Sequence, residues 1–381
     1  MFAVLIVALL SSIELVEGGC SRICTFEPGA AKYNRFDLPD ILPSLCSHII
    51  IGSAYITDSA NPRFLFDGPV SIYLTTLKAL KKANSDLIIV LLVSSRRGYT
   101  LDPTFHHMMK SHDGRRHFAL NVVMYLRDND YGGILLRNEF SEMMKSDKNA
   151  YVLLLKETAA AIRNEARASG KQKLLFLSTL SERTKMDSLE LNADVNGICR
   201  EADLVILETM MFKPHFKPLR HSRHNRLFRE TPNDSRSIDY VTNHVISKGC
   251  PKEKLLIAII PFVLLYVENL FPDSHPRHGT LFHFSNNVRY QQLCQDYLSS
   301  AKKFRLFDST PYAAGRAVIS HRTRDYILHY DDVVSVKKKV DYINEKGLAG
   351  IVVWEFIYDD SMGICFDVRV PLLKAANEKC R

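Results

Sequence analysis

The chain has 381 residues, 46% of them apolar and 24% charged, with a formal net charge of +8. This composition excludes a disordered, collagen-like or membrane-embedded protein and suits a globular chain with a large core. The length exceeds that of a small domain and fits one large unit carrying an insertion.

The first residues read MFAVLIVALLSSIELVEGG. The apolar stretch Phe2–Leu10 is too short to span a bilayer, and the small residues Gly18 and Gly19 follow it. Residues 1–19 are therefore expected to be a cleaved secretory signal, although no Lys or Arg lies near Met1. Cleavage would remove Glu14 and Glu17, raising the formal charge by two and favouring acidic partners. Later segments are not apolar enough to cross a membrane, so residues 20–381 are expected to be a soluble, extracellular monomer.

Short apolar runs then alternate with longer amphipathic stretches. Strands are predicted at Arg22–Phe26, His48–Ala54, Leu87–Val93, Gly133–Leu136, Leu174–Ser178, Leu204–Leu207, Leu255–Ile260 and Gly350–Trp354. Most are continuous apolar runs, the pattern of strands buried on both faces of a parallel sheet. Leu74–Ala83, Ala150–Ala168 and Val334–Lys346 read as helices between them. The order predicts an α/β protein, a (β/α)8 TIM barrel. The interval between the last two strands is too long for a barrel loop. It predicts a small α+β insertion at about 267–326, with a helical segment Tyr290–Lys302 that carries Cys294.

Eight cysteines behind a secretory signal predict disulfides. Cys/His clusters at zinc spacing and glycine-rich phosphate loops are absent, so neither metal nor cofactor is expected, and no recognition motif points to nucleic acid. Asn233-Asp234-Ser235 is a sequon for N-glycosylation.

Three segments resemble glycoside hydrolase family 18, the chitinases and chitinase-like lectins. ICTFEPGAAKYNRFDLPDILPSLCSHIIIGSA is similar to the family's first strand and helix. Gly132-Gly133-Ile134-Leu135-Leu136-Arg137-Asn138-Glu139 lines up without a gap on its fourth-strand motif, D-G-x-D-x-D-W-E. HYDDVVSVKKKVDYINEKGLAGIVVWEFIYDDSMGIC resembles its last helix and strand, and GCPKEKLLIAIIPF more weakly its seventh strand. The resemblance implies that Cys24 pairs with Cys46 and Cys294 with Cys365. Of the four that remain, Cys199 and Cys250 each precede a strand, while Cys20 and Cys380 flank the barrel's closure. Cys199–Cys250 and Cys20–Cys380 are the expected pairs.

Hydrolysis in this family is assisted by the substrate. A Glu protonates the glycosidic oxygen, and an Asp two positions earlier stabilises the attacking acetamide. The resemblance places the acid at Glu139 and the assisting residue at Arg137. The earlier Asp positions hold Gly132 and Leu135. The sixth-strand Met-Thr-Tyr-Asp becomes Glu208-Thr209-Met210-Met211, and the third-strand Ser-x-Gly-Gly becomes Leu92-Val93-Ser94-Ser95. Residues i and i+2 of a strand share a side, so Arg137 should sit beside Glu139 and favour its ionised form. A catalytic acid needs a raised pKa instead. The chain is thus expected to be no enzyme, with Glu139 a remnant held by Arg137; the alternative is a residual glycosidase working through Glu139 on N-acetylglucosamine polymers.

Trp354, the single tryptophan, aligns with the floor of the family's sugar subsite. It is either a stacking platform or a packed aromatic. With Glu139, Met210, Met211 and Glu355 it forms the candidate carbohydrate site. Lys213, Lys217, Arg220, Arg223, Arg226 and Arg229 follow the sixth strand with His215, His221 and His224 and no acid. Together with Arg96 and Arg97 they are candidate contacts for a polyanion such as a sulfated glycosaminoglycan. The bland reading is a solvated surface loop with surface histidines. The expected partners are a glycan, a glycosaminoglycan or a cell-surface receptor.

Overall fold

A computed structural model describes residues 19–26, 44–60, 63–66, 70–97, 100–137, 147–181, 193–210, 212, 223–229, 232, 235–268, 282–299, 301–307, 311–321, 324–365 and 367–380. The expected signal, residues 1–19, lies outside these apart from its last residue.

Eight parallel strands form a closed barrel: β1 (Ser21–Phe26), β2 (His48–Ile56), β3 (Ile88–Ser94), β4 (Gly133–Arg137), β5 (Leu175–Ser181), β6 (Leu204–Glu208), β7 (Leu255–Ile259) and β8 (Gly350–Val353). Closure comes from β1, which pairs with β2 on one side and β8 on the other. Gly350 sits at this seam with φ +147, and a Cβ there would lie 2.1 Å from the Ser21 carbonyl oxygen. Only glycine tolerates both the angle and the approach.

The apolar runs follow from two nested cores. On β3, Val90 and Leu92 point into the barrel with Ile23, Ile50, Leu135, Leu177, Ile206 and Leu256. The intervening Ile89, Leu91 and Val93 point outwards into the layer shared with the helices. Alternation therefore leaves no polar face, and the period-two signal vanishes. Leu135, at one of the family's Asp positions, is fully buried in this interior.

The outer helices include α1 (Val70–Ala83), α2 (Pro103–Lys110), α3 (His112–Asp128), α4 (Asp147–Ser169), α5 (Val195–Glu201), α6 (Ile238–Ser247), α7 (Val333–Lys346) and α8 (Pro371–Lys379). Side-chain oxygens of Asp102, Ser111, Asp194, Ser237 and Asp332 accept from backbone N–H groups at five of their starts.

Between β7 and β8 lies a five-stranded antiparallel sheet. Its spatial order is Phe282–Arg289, Phe262–Glu268, Arg324–Tyr330, Gly315–His321 and Ala301–Phe307. It thus begins earlier and ends later than 267–326. Phe262, Leu264, Tyr266 and Ile327 extend the barrel's own interior core into it, which is why its first strand reads as a continuation of β7. The helical segment is shorter than Tyr290–Lys302: helical turns end at Leu298, and a strand starts at Ala301.

The disulfides are Cys20–Cys380, Cys24–Cys46, Cys199–Cys250 and Cys294–Cys365, the four pairs expected, with no free cysteine. Such pairing belongs to an oxidising compartment. Among the described residues no helix is long and apolar enough to cross a membrane.

Candidate functional site

Barrel enzymes work at the carboxyl ends of their strands. Here β4 ends in Arg137, β6 in Glu208, and Trp354 follows β8. These three side chains meet. Arg137 Nε donates to Glu208 Oε1 at 2.7 Å and Nη2 to Oε2 at 3.2 Å. The guanidinium carbon stands 4.6 Å from the centroid of the Trp354 ring. Glu208 is 2% and Trp354 5% exposed. Two parallel charge-assisted bonds fix the guanidinium plane, and the ring quadrupole adds about 0.5–2 kcal/mol.

Thr25, Phe26, Ile50, Gly52, Ser53, Leu92 and Glu355 complete the lining around Arg137 and Trp354. Among the described residues they line a cavity of about 20 Å³, enough to seat a water molecule. Glu355 has a left-handed φ of +54, and its backbone N–H donates to the Thr25 hydroxyl. Behind β4, the buried Tyr151 hydroxyl lies 3.0 Å from the Leu136 carbonyl and 2.9 Å from Ser178 Oγ. Burial pushes its phenol well above the usual range, and the Glu208 charge pushes the same way.

The carboxylate that clasps Arg137 is Glu208 at the end of β6, a residue not among the expected site residues, where Glu139 was the expected partner. Glu139 and Met211 lie outside the described residues. Met210 is buried in the same interior core as Trp354 and is not among the residues lining this cavity.

The basic run is not one surface. Lys213, Lys217, Arg220, His215, His221 and Asn233 lie outside the described residues. Arg96 and Arg97 form a short antiparallel ribbon with Thr100–Leu101. Arg226, expected to face an anionic ligand, is fully buried, as is His224, expected at the surface. The cause is Asn225, whose φ of +53 turns the chain inwards. Asn225 Nδ2 donates to Asp331 Oδ2 at 2.9 Å, and Asp331 forms a fully buried ion pair with Lys339. Arg226 then donates to the Arg223 carbonyl at 2.9 Å and lies 5.7 Å over Phe212. His224 stacks on Phe262 at 5.9 Å. Burial, with the Lys339 charge adding, brings its imidazole down to about 3. Arg223 lies over Tyr312 and Arg229 over Tyr240; only Arg229 of the three is well exposed.

No group of three or more His, Cys, Asp or Glu could hold a metal ion among the described residues.

A closed eight-stranded barrel with an antiparallel sheet inserted before β8 is the architecture of one class of glycoside-hydrolase-type chains. The profile of Glycosyl hydrolases family 18 matches residues 24–359, and the protein belongs to that family. It is similar to human chitinase-3-like protein 2, 26% identical over 95% of this chain and 93% of the relative. The fold matches an immunomodulatory active chitinase from Trichuris suis with a TM-score of 0.81, at 21% identity over 94% of this chain and 99% of that one. It also matches human YKL-39, described as a pseudo-chitinase with retained chitooligosaccharide binding properties. That TM-score is 0.80, at 21% identity over 94% of this chain and 99% of that one.

Proposed function

We propose that this is a secreted, non-catalytic chitinase-like protein that recognises a glycan on the carboxyl face of its barrel. The observation carrying the reading is the Arg137–Glu208 clasp. A substrate-assisted mechanism needs an anion beside the developing oxazolinium cation, and Arg137 supplies a cation there. Glu208, the carboxylate in contact with it, is held as an ion-pair acceptor. Leu135 and Met210 replace polar neighbours with hydrocarbon. Such a pocket neither orients an acetamide nor stabilises its cyclisation, whatever Glu139 does.

The retained chitooligosaccharide binding described for YKL-39 supports a glycan as the ligand class. The burial of Arg226 weakens the polyanion reading, which now rests on Arg96, Arg97, Arg223, Arg229 and the cations outside the described residues. A glycan array carrying chitin oligomers and sulfated polymers tests the proposal. Saturable binding to one of these classes is expected; binding to none of them would overturn it.

A further inference from the structure

We infer that Arg137 is a specificity-determining plug: it takes the sugar-stacking place on Trp354 and excludes N-acetylglucosamine units from the bottom of the pocket. This rests on the proposed reading and narrows it: the glycan is recognised on the carboxyl face without an N-acetylglucosamine ring stacked on Trp354 at the bottom of the pocket.

A sugar ring is held on an aromatic face by lying flat against it. The Arg137 guanidinium carbon occupies that face here, 4.6 Å from the Trp354 centroid. Trp354 is 5% exposed, so it offers no second open face. Among the described residues the guanidinium shares this pocket with Thr25, Ile50, Leu92 and Glu355 and fills the space over the ring. Rotation of Arg137 away from the ring is opposed by Glu208, which engages both Nε and Nη2. Swinging out would leave a 2% exposed carboxylate without its cation, a strongly unfavourable state. The plug is therefore held from beneath, by a strand 71 residues further along the chain, rather than resting loosely in the mouth.

The chain has one tryptophan, so its emission reports on this surface alone. The test is a titration of the intact secreted protein with tetra-N-acetylchitotetraose, followed by Trp emission and by calorimetry. Arg137→Ala removes the plug. Arg137→Ala with Glu208→Gln removes it without leaving a lone buried carboxylate, and serves if the single variant does not fold. The wild-type emission should stay flat, while a folded variant should show a saturable emission change and at least tenfold tighter binding. Equal affinity in wild type and variant, or two folded variants whose emission never responds, would overturn the plug. Product release measured in the same titrations judges the non-catalytic reading separately: turnover by the wild type would sink that reading, while the emission still decides the plug.

Discussion

Replacing Glu208 with Ala should cost about 2–3 kcal/mol of stability. Removing one member of a buried pair costs roughly 3–5 kcal/mol, because the other charge is left without a partner. The lower figure applies here because Arg137 is 14% exposed and keeps its Trp354 contact, worth about 0.5–2 kcal/mol. For a chain of 381 residues the unfolding entropy is of order 0.8 kcal/mol/K, so the midpoint should fall by about 3–4 °C. Far-UV circular dichroism under non-reducing conditions measures this. Arg137→Met and the double variant complete a cycle, in which the double should be more stable than the two single losses summed. A midpoint shift below about 1 °C, or additivity within about 0.5 kcal/mol, would refute the idea that Glu208 holds Arg137 in place.

Lys339→Met leaves the buried Asp331 carboxylate without its cation and should cost about 3–5 kcal/mol, read as a lower denaturation midpoint; proteolysis within 223–229 should rise because Asp331, the acceptor for Asn225, is no longer held by an ion pair. His224 stays neutral in the fold down to about 3 against an ordinary value of 6.5. Below pH 6.5 the unfolded chain takes up a proton that the native one refuses. Stability should therefore drop as pH falls from about 6.5 towards about 3, by up to roughly 1.4 kcal/mol per unit; His224→Phe, which keeps a ring against Phe262, should flatten that slope in urea titrations. Cys20→Ser with Cys380→Ser opens a loop of 360 residues and should lower stability by about 4–6 kcal/mol, checked by non-reducing thermal melts.

The barrel was legible because strands buried on both faces leave unmistakable apolar runs; Ile89–Val93 feeds both cores residue by residue. Cys199–Cys250 and Cys20–Cys380 were legible for a related reason, since barrel closure brings their positions to one end, whereas Cys24–Cys46 and Cys294–Cys365 came from the family resemblance. The Arg137–Glu208 clasp was not. It joins β4 to β6 across 71 residues, and only the curvature of the closed sheet brings the two side chains together. A Glu ending one barrel strand and an Arg ending another was the available clue. The basic run misled because charge counting does not see backbone direction. Asn225 in a left-handed conformation and the Lys339–Asp331 pair draw His224 and Arg226 under the surface. The sheet between β7 and β8 was placed too narrowly because its first strand is as apolar as the barrel itself.

The central claim is that the pocket has lost the chemistry of its family. Its most direct test is product release from tetra-N-acetylchitotetraose, followed by mass spectrometry across acid to neutral pH with the purified wild-type protein. No product above the blank is predicted at any pH. Turnover that disappears on Glu139→Gln would contradict the account.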